Sequence, residues 1–208
     1  MLKSRLKGFF VTVDGPNGVG KSSLVNAIVS QLKQLGFDVS ETGEPTNSQL
    51  GRLVRQAETI YNGRVYTCLI AADRYFHIET EIIPLLNDGK IVLSTRYVES
   101  SLALQNLDGV EFEFIWAINS QIYKPDLSVI LTASAEILES RLSERSCYSR
   151  FEKSKTRQAE LDSYMRAAEF LSTKGFNILL VDNGTVSLEQ NATRITEKIV
   201  NLLNQKGE

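Results

Sequence analysis

The chain predicts a three-layer α/β fold, a five-stranded parallel sheet flanked by helices. Short, unbroken apolar runs alternate along it with segments of helical periodicity. Strands buried on both faces read as such runs, whereas strands with one wet face alternate. Turn residues mark nearly every junction. The 208 residues, 42% hydrophobic and 23% charged, suit one domain whose core needs no staples.

Residues 8–14 (GFFVTVD) read as the first strand. Leu24, Val25, Ile28, Val29, Leu32 and Leu35 then recur at helical spacing, and Gly36 is the stop. Residues 37–40 give a second strand and 48–56 a short helix. A long helix over 65–86 ends at Asn87-Asp88-Gly89, before a third strand at 91–93. Residues 110–122 are helical until Lys124-Pro125-Asp126 breaks the pattern. The fourth strand is 127–131. Helices over 135–142 and 157–172 precede a fifth strand at 178–181, and 188–203 closes the chain as a helix. No repeat or low-complexity tract interrupts this order.

Charge narrows the function. Lys and Arg number 23 against 25 Asp and Glu, a net charge of −2, which argues against a protein that coats a nucleic acid polymer or an anionic membrane. His77 is the single histidine, and Cys68 and Cys147 are the two cysteines. A disulfide framework and a Cys/His metal site are both disfavoured. No apolar run reaches the roughly 18 residues of a membrane span, and the first residues lack a signal peptide's apolar core. A cytoplasmic protein is expected. Cys68, in an apolar helical stretch, reads as core.

Gly15-Pro16-Asn17-Gly18-Val19-Gly20-Lys21-Ser22 fits G-x-x-x-x-G-K-[ST], the Walker A phosphate loop, and sits between a strand and an amphipathic helix. Glycines let the backbone curl so that several N–H groups point at phosphate oxygens, and the helix N-terminus adds its positive dipole end. The pattern assigns Gly15, Asn17, Gly18, Val19, Gly20, Lys21, Ser22 and Ser23 to ATP. Lys21 is placed on the β- and γ-phosphates and the Ser22 hydroxyl on Mg²⁺. The N-K-x-D pattern by which GTPases read guanine is absent.

Other segments narrow the reaction. They are Thr42-Gly43-Glu44-Pro45-Thr46, Ala71-Ala72-Asp73-Arg74 with His77, Ser94-Thr95-Arg96-Tyr97, Ser100-Ser101-Leu102-Ala103-Leu104-Gln105, Pro125-Asp126-Leu127 and Arg150-Phe151-Glu152, with Asp182 ending the last strand. In this order they resemble the thymidylate kinase family of P-loop nucleoside monophosphate kinases. The resemblance implies a single domain over 1–208 with a lid around 143–156. It implies transfer of the γ-phosphoryl group of Mg²⁺–ATP to dTMP, and a homodimer built through the helices over 65–86 and 110–122. Arg74 would contact the nucleobase, Arg96 the acceptor phosphate, and Pro45 and Phe76 the acceptor pocket. Ser101 and Gln105 would lie beside base or sugar. Asp14, Glu44 and Tyr164 are counted on the acceptor side and Arg141 on the ATP side.

Phosphoryl transfer between two phosphates depends on positioning and on offsetting charge repulsion, and arginine forks suit phosphate oxygens. The phosphate loop has no arginine, so catalytic cations must come from elsewhere. Arg141 and Arg145 share one helix face, and Arg150 follows in the lid. Lys21, Arg96, Arg145 and Arg150 form the expected catalytic set. Six basic residues (Arg141, Arg145, Arg150, Lys153, Lys155, Arg157) stand against two acidic ones over 141–157, though the last three also read as a solvated face.

The departures matter as much. Thr95, Gly43, Asn17 and Leu104 stand where the family has Asp, Arg, an acidic residue and Tyr. Asp14 and Glu44 are then the carboxylates left for metal or water contacts, and Glu44 reads equally well as a turn cap. An alternative is a kinase for another nucleotide or for a deoxynucleoside, with Asp14 as the base that a hydroxyl acceptor needs. Another is a nucleotide-binding relative with weakened catalysis. Asp73-Arg74 alone would read as an exposed pair. His77 reads as a helix-face residue, and Phe112, Ile115 and Trp116 as helix packing or a seam with a second copy.

Overall fold

A computed structural model describes residues 7–143 and 156–207. Five parallel strands lie in the order β2-β3-β1-β4-β5, where β1 is Phe9–Asp14, β2 Val39–Gly43, β3 Ile91–Thr95, β4 Leu127–Thr132 and β5 Ile178–Asp182. β1 is central and pairs Phe9 with Ile91 on one side and Val11 with Leu127 on the other. Such an order turns outward in both directions from β1, so the crevice beyond its carboxyl end is the topological place for a ligand.

β1 shows how one strand serves two layers. Phe9, Val11 and Val13 face a layer formed by α1 (Lys21–Gln34) and α9 (Leu188–Gly207), through Leu24, Ile28, Leu32, Ile195 and Ile199. Phe10 faces the other layer, with Tyr97, Leu102, Tyr164 and Leu86. Thr12 meets Glu99 on that second side and Asp14 meets Tyr164. Successive strand residues point to opposite faces, so the polar residues of an otherwise apolar strand fall together under the helices that cover its carboxyl end.

Several expected boundaries move. β2 begins at Val39 and runs to Gly43, because Glu41 and Thr42 pair fully with Leu93 and Ser94 although they are polar. The 65–86 helix is not continuous. It is α3 (Gly63–His77), a π-helical turn over Ile78–Ile82, and α4 (Ile83–Asn87) with Pro84 in its first turn. The helix expected over 110–122 is α6, Phe112–Asn119. A helical segment went unrecognised: α5 (Val98–Ser100), which runs into a π-helical turn at Ser101–Gln105. Its residues are nearly all buried, so it carries no amphipathic signal. α2 (Gln49–Ala57) is capped by Ser48 Oγ, which accepts from Gly51 N at 3.1 Å. α7 (Ala135–Ser143) and α8 (Arg157–Thr173) complete the layers. The expected lid, with Arg145 and Arg150, lies outside the described residues.

Cys68 is exposed and not core. The inward face of α3 is formed by Tyr66, Ala71, Asp73, Arg74 and His77, which turns Val65 and Cys68 outward. Arg157 is buried and paired with Glu160 and Glu139, so it is no part of a solvated face. Phe112 and Trp116 pack on Phe170 within the chain.

Candidate active site

The phosphate loop closes over the end of β1. Gly15 has φ 141°, and a Cβ there would lie 2.5 Å from the Leu131 carbonyl oxygen of β4. Gly20 is the N-cap of α1 in the left-handed region at φ 96°, and no side chain caps that helix. Its first amides therefore face the loop's concavity, the arrangement that receives a phosphate. Lys21 is buried and its Nζ donates to Gly15 O at 2.8 Å and Pro16 O at 2.9 Å, which holds the ammonium across the loop. The cleft here, about 510 Å³, is lined by Asn17, Gly18, Gly20, Lys21, Ser22 and Ser23 from the loop and by Thr95 and Arg96 from the end of β3. The Val19 side chain is instead buried in the core. Its carbonyl accepts from Asn183 Nδ2 at 2.7 Å and from Arg141 Nη1 at 3.4 Å. Arg141 thereby anchors α7 to the loop and to Asn183 O.

A second cleft of about 760 Å³ opens beside the first. Asn17, Glu44, Pro45, Arg74, Arg96, Ser101 and Gln105, all expected at the site, line it. Arg74 is 1% exposed. Its Nε donates to Glu44 Oε2 at 3.0 Å, Nη1 to Asn119 Oδ1 at 2.7 Å, and Nη2 to Tyr97 O and Ser101 Oγ, both at 2.9 Å. Glu44 is thus an ion-pair partner, not a turn cap, and its other oxygen lies 3.3 Å from His77 Nδ1. His77 Nε2 is 2.7 Å from Thr42 Oγ1, so the histidine is buried between β2 and α3. Asp73 does not pair with Arg74. Its carboxylate accepts from Thr46 N at 2.8 Å and Thr46 Oγ1 at 2.6 Å, which pins the turn after β2.

Three expected residues stand elsewhere. Asp14 is fully buried and does not line either cleft. It accepts from Gly15 N at 2.8 Å, Tyr97 N at 3.2 Å, Ser100 Oγ at 2.7 Å and Tyr164 OH at 2.9 Å. Those donors fill a carboxylate's acceptor capacity, so Asp14 holds the loop and is not placed to touch an acceptor. Tyr164 is buried behind it, and burial, then the Asp14 charge, raises its phenol pKa well above 10.0. Phe76 is 40% exposed on the far side of α3. Two residues on from Arg74, a helix has turned by about 200°. Tyr66 and Ile70 occupy the wall assigned to it. They precede Arg74 by eight and four residues, so helical spacing from Arg74 would have found them.

Arg55 and Glu58 were also missed. Arg55 Nη1 donates to Thr46 O at 2.6 Å and Nη2 to Pro45 O, which brings α2 onto the cleft. Nothing in a short polar helix announces that contact.

Arg96 joins the two clefts. It is the one non-glycine residue among those described with positive φ, at 70°. A non-glycine residue held there stores strain and points to function. Its N–H donates to Val13 O at 3.1 Å, and Ser94 Oγ donates to its carbonyl at 2.9 Å. Arg96 borders both clefts and a wider groove that Ser22, Glu41, Glu44, Glu81 and Arg55 also line. Beneath it, burial and then the Asp14 charge raise the pKa of Glu99 to about 7. Thr95 Oγ1 is buried without a hydrogen-bond partner at the edge of the phosphate loop, and Gln105 Oε1 likewise at the second cleft.

A phosphate loop at the end of β1, a second cleft lined with arginine and a cation between them define a P-loop nucleotide kinase. Comparison with known proteins agrees. The thymidylate kinase family model matches residues 13–195. A probable thymidylate kinase of Caldivirga maquilingensis is 38% identical over 148 residues, 69% of this chain and 72% of that one. One from Pyrococcus abyssi is 31% identical over 89% of this chain and 92% of its own. A thymidylate kinase of Caldicellulosiruptor saccharolyticus is 37% identical over 66% and 70%. The chain belongs to the thymidylate kinase family.

Proposed function

We propose that the chain transfers the γ-phosphoryl group of ATP to dTMP, giving dTDP and ADP. The single observation that carries this reading is Arg96, which borders the phosphate loop and the acceptor cleft at once. A donor γ-phosphate and an acceptor phosphate repel each other, and a guanidinium between them offsets that repulsion while aligning both. Lys21 serves the donor side. Arg96, with Arg55 at the cleft's edge, serves the acceptor phosphate. Tyr66, Ile70 and Leu104 offer apolar walls to a base, and Gln105, Ser101 and Arg74 polar atoms to its edge. Gln105 Oε1, buried without a partner, fits a ligand donor.

An acceptor phosphate is already an anion and needs no strong base. A deoxynucleoside acceptor would need one, and Asp14, the carboxylate considered for that task, is enclosed by its own donors. Mg²⁺ fits the donor cleft through neutral oxygens, the Ser22 hydroxyl and the unpartnered Thr95 Oγ1. When bound it neutralises charge on the phosphate oxygens.

The reading extends to Arg145 and Arg150 as further cations in a lid of one domain spanning 1–208, to a cytoplasmic setting, and to a homodimer using the helices over 65–86 and 110–122. No described helix is long and apolar enough to cross a membrane. A panel of dTMP, dUMP, thymidine and deoxycytidine with Mg²⁺–ATP tests the substrate. Transfer to dTMP is expected. Tight ATP binding with no transfer to any acceptor would contradict it.

A further inference from the structure

The phosphate loop, residues 15–22, contains no carboxylate, yet a buried one supports it. Glu160 lies in the first turn of α8 and is 1% exposed. Its Oε1 accepts from both Asn17 N at 2.8 Å and Asn17 Nδ2 at 3.0 Å. Its Oε2 accepts from Arg157 Nη1 at 3.0 Å. Asn17 Oδ1 in turn accepts from Arg96 Nη2 at 2.7 Å.

These contacts set a direction. An asparagine amide can present oxygen or nitrogen to a neighbour. Glu160 accepts only, so the Nδ2 side turns to it and Oδ1 is left facing Arg96. In the opposite orientation an N–H would confront a guanidinium N–H, and Arg96 would lose its short bond to the loop while keeping the longer one from Nη1 to Ser100 Oγ at 3.3 Å. We infer that Glu160 is a positioning residue for the reaction: it fixes the Asn17 amide, and through it the Arg96 guanidinium, without touching either substrate. This rests on the reading of Arg96 as the acceptor-phosphate residue.

The geometry also says why a carboxylate is needed. One oxygen takes two donors from the loop while the other takes the Arg157 guanidinium. Glutamine has the same shape, but its amide nitrogen would face a donor on whichever side it was placed.

The test is steady-state kinetics with dTMP and Mg²⁺–ATP for the wild type, Glu160→Gln, Asn17→Asp and the double variant, with a melting temperature for each. Glu160→Gln is expected to lower kcat/KM for dTMP by about 10- to 100-fold, the scale of a misplaced positioning group, with a smaller rise in KM for ATP because Glu160 also holds the Asn17 N–H of the phosphate loop. Asn17→Asp is expected to fall as well, because it sets a second carboxylate beside Glu160. The double variant is expected to recover only part of the loss, because the glutamine amide still faces the residue 17 backbone N–H. Its introduced glutamine amide can donate to the introduced aspartate, which still accepts from Arg96. Wild-type kcat/KM in Glu160→Gln, with only the melting temperature changed, would overturn the inference. Should Glu160→Gln fail to fold, Asn17→Asp decides alone, and wild-type kinetics there would overturn it. A wild-type chain that transfers nothing to dTMP would instead remove the functional reading beneath it.

Discussion

The donor and acceptor sides of this site are built by opposite means. The phosphate loop is eight consecutive residues whose backbone does the work, and its concavity follows from glycines and a helix start. The second cleft draws side chains from the turns after β2 and β3, from α2, α3 and the π-helical turn after α5, and holds them with buried charge. A backbone site rests on its glycines and on the few loop side chains, Asn17 and Lys21, that tie it to its surroundings. A side-chain site stands or falls with its ion pairs.

That contrast can be broken most forcefully at Arg74. Arg74→Met leaves the Glu44 carboxylate and the Asn119 amide buried without their partner. Breaking a buried pair costs about 3–5 kcal/mol, and at roughly 2–4 °C per kcal/mol for a chain of this size the melting temperature should fall by about 10 °C. A drop confined to activity would mean that the cleft is not held by charge. Lys21→Ala should leave the fold intact and lower kcat about 10²- to 10³-fold, the loss typical of one electrostatic stabiliser of a transition state. Turnover and melting measured together on these two variants separate the two modes of construction.

Gly15→Ala probes the backbone side directly. The added methyl meets a carbonyl oxygen of β4 at 2.5 Å and sits at a φ that alanine avoids, a strain of about 1–3 kcal/mol. ATP affinity should fall more than dTMP affinity, by calorimetry with each nucleotide.

The smallest effect lies beneath both clefts. Burial and the neighbouring Asp14 raise Glu99 from 4.5 to about 7. A carboxyl with a raised folded pKa contributes stability that is full below its unfolded pKa and is lost as pH rises through the folded one. The wild type should therefore lose stability between about pH 5 and pH 8 on this account. Glu99→Gln should flatten that fall by a few degrees in melting scans, and an unchanged slope would remove Glu99 as its source.

The two construction modes also decide what was legible in the sequence. Apolar runs disclosed β1, β3 and β4 because both faces of the sheet are covered there, while β2 at the edge is polar over most of its length and was placed two residues early. The phosphate loop was legible because its function lies in contiguous residues. Arg74, Arg96, Ser101 and Gln105, which line the second cleft, lie in short motifs that resemble one family. Arg55 and Glu160 were not legible, because their roles arise only when helices distant in sequence meet, whereas Tyr66 and Ile70 share α3 with Arg74 and were legible from its helical spacing. Asp14 was misassigned for the same reason: the strand end points to a ligand, but four donors from the loop, α5 and α8 enclose its carboxylate. The segment over 98–105 was missed because its burial is nearly complete and its helix includes a π turn.

The central claim is that one guanidinium serves both phosphates. It is tested most directly by measuring kcat/KM for dTMP and for thymidine, with Mg²⁺–ATP, in the wild type and in Arg96→Ala. The account predicts that the wild type strongly prefers dTMP and that Arg96→Ala loses at least about 10²-fold on dTMP. A wild type that uses thymidine as well as dTMP, or an Arg96→Ala enzyme with undiminished transfer to dTMP, would contradict it.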